Sequence, residues 1–227
     1  MTDIPAGTGR LAHAPADHPT VKAPKIGVLL ANLGTPDGYD YWSMRRYLNE
    51  FLSDKRVVDI SDWIWQPLLQ LIILTKRPFT SGANYKLIWN HEKNESPLLT
   101  ITKDQTAAIA AQIKARHGDR VMVDFCMRYG NPSTASKVQE MVAAGVEKIL
   151  FFPLYPHYAM STIETCVVMA RDIVNKLDPN ANLEVIKPFY NDPDYIDALV
   201  ACAEPFLQDD YDHLLFSYHG LPERHLR

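Results

Sequence analysis

Cysteine is scarce. Cys126, Cys166 and Cys202 are the three thiols in 227 residues, and no two form a Cys-x-x-Cys pair. That excludes a disulfide framework and a zinc knuckle, fits a reducing compartment, and leaves each thiol as a small core residue. An excess of positive charge is lacking too: 23 Lys and Arg stand against 27 Asp and Glu, with no basic block. Nucleic-acid binding therefore has no electrostatic footprint. There is no Gly-x-Gly-x-x-Gly, which removes support for a dinucleotide site and disfavours a generic transferase or sugar-phosphate enzyme. No apolar run reaches the roughly 20 residues that a spanning helix needs. The first two dozen residues, rich in Pro, Ala, Gly, Thr and His, contain no continuous apolar core of a signal peptide. Residues 1–24 read as a disordered tail with no export signal, and His13 and His18 within it have no scaffold on which to build a metal site.

What is present is an ordinary globular chain, 47% apolar, with enough length to bury a core. Short apolar runs at residues 26–31, 121–126, 148–152 and 183–188 read as strands, and helical patterns follow them. The helices are expected over about 39–52, 97–117, 134–144, 162–177 and 193–207, the last with Ile196, Leu199, Val200 and Phe206 on its buried side. Repeated strand-then-helix units without hairpin signals mean an α/β fold with a parallel sheet flanked by helices. A further apolar run, residues 214–216, reads as a buried strand that delivers Ser217, Tyr218 and His219 to a Gly220/Pro222 turn.

In parallel sheets the ligand crevice lies outside the carboxyl ends of the strands. Candidate chemistry is therefore sought just past each run. His219 follows the last, Arg128 and Tyr129 the second, and Tyr155 and His157 the third, where two tyrosines and a histidine between prolines form a stiff aromatic rim. Residues 62–74 are the most hydrophobic stretch and admit two readings. One is a buried helix interrupted by Pro67. The other is an interfacial element, given Trp63, Trp65 and the following Lys76-Arg77. Residues 85–97 read as a polar loop, with His91 and Glu92 solvated.

Five stretches carry a resemblance: Leu-Ala-Asn-Leu-Gly-Thr-Pro (30–36), Tyr-Leu-Asn-Glu-Phe-Leu-Ser-Asp (47–54), Met-Arg-Tyr-Gly-Asn-Pro (127–132), Phe-Pro-Leu-Tyr-Pro-His-Tyr (152–158) and Ser-Tyr-His-Gly-Leu-Pro (217–222). In this order they resemble the ferrochelatases, enzymes that insert Fe²⁺ into protoporphyrin IX to give protohaem. The resemblance implies two Rossmann-like lobes around a cleft: a first lobe over 25–180, with a porphyrin lip at about 60–82, and the incomplete opening of a second over 181–227. It implies His219 as the catalytic residue and a metal ligand, in either proton acceptance or metal binding. It places Leu33, Arg77, Tyr85, Ser96, Arg128, Tyr129, Tyr155 and His157 against the porphyrin, Arg77 through a propionate. Fe²⁺ is then substrate, protoporphyrin IX the partner, and the lip a peripheral membrane contact, with the protein cytoplasmic and at the inner face of the membrane. Met160 stands where animal members carry a cluster-binding cysteine, so an animal-type iron–sulfur cluster is not expected from this half. The family's opposing glutamate lies beyond Arg227. The expectation is a truncated chain with at most residual activity, and the alternative is a non-catalytic tetrapyrrole-binding or carrier module.

Overall fold

The structure, a computed structural model, describes residues 25–178, 181–208 and 210–226. The tail expected over residues 1–24, with its two histidines, lies outside the described residues. The first apolar run forms strand β1 (Lys25–Thr35), joined by β2 (Val121–Gly130), β3 (Val146–Pro153) and β4 (Asn182–Val185). All pairings are parallel, in the order β2-β1-β3-β4. β1 is central and covered on both faces, which is why its sequence is a continuous apolar run instead of an alternation. β4, expected to open a second lobe, lies at the edge of this same sheet, hydrogen-bonded to β3.

Successive β1 side chains still point to opposite faces. Leu29 and Ala31 join Val138, Met141, Phe151 and Ala170 in the larger core, made with α5 (Thr134–Ala143) and α6 (Thr165–Leu177). Asn32, of the other parity, donates from Nδ2 to Thr102 Oγ1 at 3.1 Å on α4 (Pro97–His117). Helix starts fall where the sequence supplies caps. Asp40 accepts from the Trp42 and Ser43 amides at 2.9 and 3.1 Å before α1 (Tyr41–Leu52), and Ser96 accepts from Leu99 N at 3.2 Å before α4. Each such cap stabilises by about 1 kcal/mol. α6 departs from the expected Ser161/Thr162 cap: it emerges from a π turn, Met160–Glu164, without a side-chain cap.

A second core joins Met44, Tyr47 and Leu48 of α1 to Trp65, Leu69, Leu74 and Tyr129. The apolar stretch is divided, one side buried as the helix reading expects and the other exposed. α2 (Asp62–Leu68) contains Pro67 and passes through a π turn, Leu69–Ile73, into α3 (Leu74–Ile88). Trp65, Leu69 and Leu74 are buried, while Trp63 and Leu71 are 78% and 73% exposed on the other side. The Leu74 carbonyl, at the end of the π turn, is met by Arg45 Nη1 at 2.7 Å and Tyr41 OH at 3.1 Å.

Four local expectations are corrected. β2 runs on through Met127, Arg128 and Tyr129 to Gly130, so these residues belong to a strand and not to a loop. Gly34 makes this pairing feasible: its φ is +107°, and a Cβ there would lie 1.8 Å from the Tyr129 carbonyl oxygen. Tyr85 is inside α3, not in a polar loop. α7 (Pro193–Ala203) buries none of its residues, leaving Ile196, Leu199 and Val200 exposed, and Phe206 just beyond it is exposed as well. Residues 214–216 are not a strand, and Leu215 is 89% exposed. A strand needs a neighbour to take its amides and carbonyls, and among the described residues the sheet ends at β4.

Candidate active site

The carboxyl ends of β1 and β3 open on one side of the sheet, where the chain following β3 turns over them. Leu33 from β1, Phe51 from α1, Val57, residues 155–159, and Ser161 and Thr162 of the second π turn make a wall. Residues 219–222 and His225 close over it, leaving a cavity of about 540 Å³. That lies within the usual range of about 300–1,000 Å³ for small-molecule sites. Its surface is largely apolar and aromatic, punctuated by His157, His219, His225, Tyr155 and Tyr158; no Asp or Glu lines it among the described residues.

His219 lines the cavity and is exposed. Its Nδ1 lies 2.7 Å from the Gly220 carbonyl, to which it donates, because a carbonyl oxygen can only accept. In the neutral ring Nε2 carries the lone pair, able to take a proton or to meet a metal. His157 stacks nearly parallel on Tyr190, ring centres 5.4 Å apart at 17°. The Tyr155 hydroxyl is buried beside the Cys166 thiol. Burial pushes its phenol well above the ordinary value, which keeps it a neutral donor.

Behind the wall, Asp54 ties three elements together. Its Oδ2 accepts from Arg128 Nη2, from Tyr129 OH at 2.8 Å and from Thr165 Oγ1, and its Oδ1 from the Arg56 amide at 2.8 Å. Arg128 Nε also donates to Thr165 Oγ1 at 2.7 Å, and its guanidinium lies 4.3 Å from the Tyr129 ring centre. The Arg128 and Asp54 side chains are only 10% and 4% exposed. Burial would raise the Asp54 carboxyl, but the bonds from Thr165, the Arg56 amide and Tyr129, with the Arg128 charge, outweigh it and hold the pKa below 3.8. This cluster fixes the end of β2 against the start of α6, immediately after the π turn that lines the cavity.

The cavity thus brings together Leu33, Tyr155, His157 and His219 of the expected residues. Arg128 and Tyr129 are engaged by Asp54, and Ser96 caps α4. Tyr85 packs beside the second core, and Arg77 is exposed on α3. Sequence reasoning did not single out Asp54, Thr165, Phe51, Val57 or His225. Asp54 was visible only as the last residue of a matching stretch, and nothing in composition marks His225.

A model of the ferrochelatase family matches residues 25–227. The chain belongs to the ferrochelatase family. It is 54% identical to the ferrochelatase of Rhodobacter capsulatus over 221 residues, covering 96% of this chain and 63% of that protein. The ferrochelatases of Agrobacterium fabrum and Rhizobium etli are each 46% identical, over 220 and 218 residues and again 63% of their length. The chain therefore spans about 63% of the length of these curated relatives. All five ferrochelatase-like stretches fall inside the matched span, and the cavity is assembled from residues of four of them together with the second π turn, Val57, Ala159 and His225.

Proposed function

We propose that this chain carries the tetrapyrrole cavity and catalytic histidine of a ferrochelatase, which inserts Fe²⁺ into protoporphyrin IX to give protohaem, the last step of haem biosynthesis. The observation that carries the reading is the placement of His219 in the lining of an aromatic, largely apolar cavity, as an exposed imidazole at its closing turn. Insertion exchanges two pyrrole protons for one divalent metal ion. The Nε2 lone pair accepts a proton or gives Fe²⁺ its first foothold, but not both at once. Leu33, Tyr155 and His157 meet the macrocycle, Tyr155 and His157 with their aromatic faces. Arg77, exposed on α3 outside the cavity lining, is the side chain assigned to a propionate. Arg128 and Tyr129 act through the Asp54 cluster, and Tyr85 and Ser96 brace the lip and α4. The first lobe begins at residue 25 and takes β4 (Asn182–Val185) as its edge strand, past the expected boundary at 180, and residues 60–82 make the lip.

The exposed apolar side of α2 and α3, with Trp63, Leu71, Ile72 and Phe79, fits a peripheral contact with a membrane that holds the poorly soluble substrate. No helix among the described residues is long and apolar enough to cross a membrane.

A second reading, a tetrapyrrole-binding or carrier module, is favoured by the lack of any carboxylate among the described lining residues. An anaerobic incubation of the chain with protoporphyrin and Fe²⁺, or Zn²⁺ as a stand-in, separates the two. Metalloporphyrin formation that disappears in His219→Ala supports the enzyme. Tight porphyrin binding without metallation supports the carrier.

A further inference from the structure

His225 lies in a segment whose side chains otherwise face solvent. Of the described residues 210–226 it alone is buried, at 4% exposure. Its backbone amide donates to Pro222 O at 2.9 Å, which forms a single 3₁₀ turn, Glu223–Leu226. That turn packs on the π turn Met160–Glu164. The preceding residue clamps it from outside, with Arg224 Nη1 donating to Asp59 Oδ2 at 2.6 Å. The result is an imidazole held inside the cavity wall.

Neither ring nitrogen of His225 has a hydrogen-bond partner. Both nitrogens are shielded from water in the empty protein, a state unfavourable for a polar group, so the ring must turn toward the cavity to meet a partner there. A neutral imidazole offers one lone pair, the donor type that suits borderline divalent metals. No three His, Cys, Asp or Glu side chains among the described residues converge to hold a free ion. A metal that already carries four nitrogens from a macrocycle needs only one more from the protein.

We propose that His225 is the protein ligand to the metal of a bound metallotetrapyrrole, the fifth nitrogen after the four of the ring. The role is distinct from that of His219, whose Nδ1 is committed to Gly220. It rests on the tetrapyrrole reading of the cavity and adds a device for retaining the metallated product. The site favours a metallated ring over the free base, which has no metal for the imidazole to hold.

The test is a titration of ferric protohaem into the 227-residue chain, followed by absorption spectroscopy. Four forms are compared: wild type, His225→Ala, His225→Gln and His219→Ala. The expected result is a nitrogen-ligated Soret band in wild type and His219→Ala that is lost in both His225 variants. Haem affinity should fall by about tenfold in those variants, the size of one good contact. Free imidazole should restore the band in His225→Ala, a rescue that a misfolded variant would not show. Retention of the band in His225→Ala, or in His225→Gln, would overturn the assignment, the latter by pointing to a hydrogen bond instead of ligation. Absence of any saturable haem binding by wild type would instead remove the tetrapyrrole reading itself, and this inference with it.

Discussion

Asp54 is the residue on which the wall of the site depends, since three side chains and one amide donate to a carboxylate that water scarcely reaches. Removing one partner of such a buried pair leaves the other charge uncompensated, so Asp54→Ala should cost about 3–5 kcal/mol in urea unfolding. The pH dependence has a definite sign. The folded carboxyl lies below 3.8, so its contribution is complete above that value and is lost as pH falls through the lower folded pKa. The stability gap between wild type and Asp54→Asn should therefore shrink on acidification below about pH 4. Cysteine chemistry gives a second check. Burial pushes the Cys126 and Cys166 thiols up to about 12, whereas Cys202 is exposed. One thiol should react with a disulfide reagent at pH 8 in the native chain and three after unfolding. Sequence pattern names residue types near a site, but not which acid is buried. Asp54 ends one matching segment and Asp37 directly follows another, and only contacts distant in sequence distinguish them.

At the scale of elements, the four parallel strands and the helices between them were legible because each apolar run had a length and flanking turns that admit one reading. What was not legible depended on neighbours. Among the described residues the run at 214–216 has strand chemistry but no partner strand, and no residue of α7 is buried. The stretch at 62–74, which admits a buried or an interfacial reading, has one side buried and one exposed along α2 and the π turn that follows it. Its outward side should bind vesicles. Trp63→Ala combined with Leu71→Ser should weaken partition to anionic vesicles in a flotation assay by about tenfold or more, from the apolar area removed, and unchanged flotation would remove the membrane contact. Gly34→Ala tests the joint between β1 and β2, where a Cβ has no room against the Tyr129 carbonyl. It should destabilise the fold by about 2–3 kcal/mol or more.

For the whole molecule, the five ferrochelatase-like stretches are scattered along the sequence from residue 30 to residue 222, and a single parallel sheet gathers four of them at the carboxyl ends of β1 and β3. That placement was legible as a rule of parallel sheets; the closing turn with His225 was not, because it depends on the Arg224–Asp59 ion pair and on packing against the π turn. The central claim is that this one cavity receives the tetrapyrrole. It is tested most directly by titrating protoporphyrin into the chain and following porphyrin fluorescence, with Leu33→Trp as a variant that fills the cavity from β1. Saturable binding at one porphyrin per chain, weakened about tenfold or more by Leu33→Trp, is the predicted result. Binding that is equally tight in Leu33→Trp, or that never saturates in the wild-type chain, would contradict it.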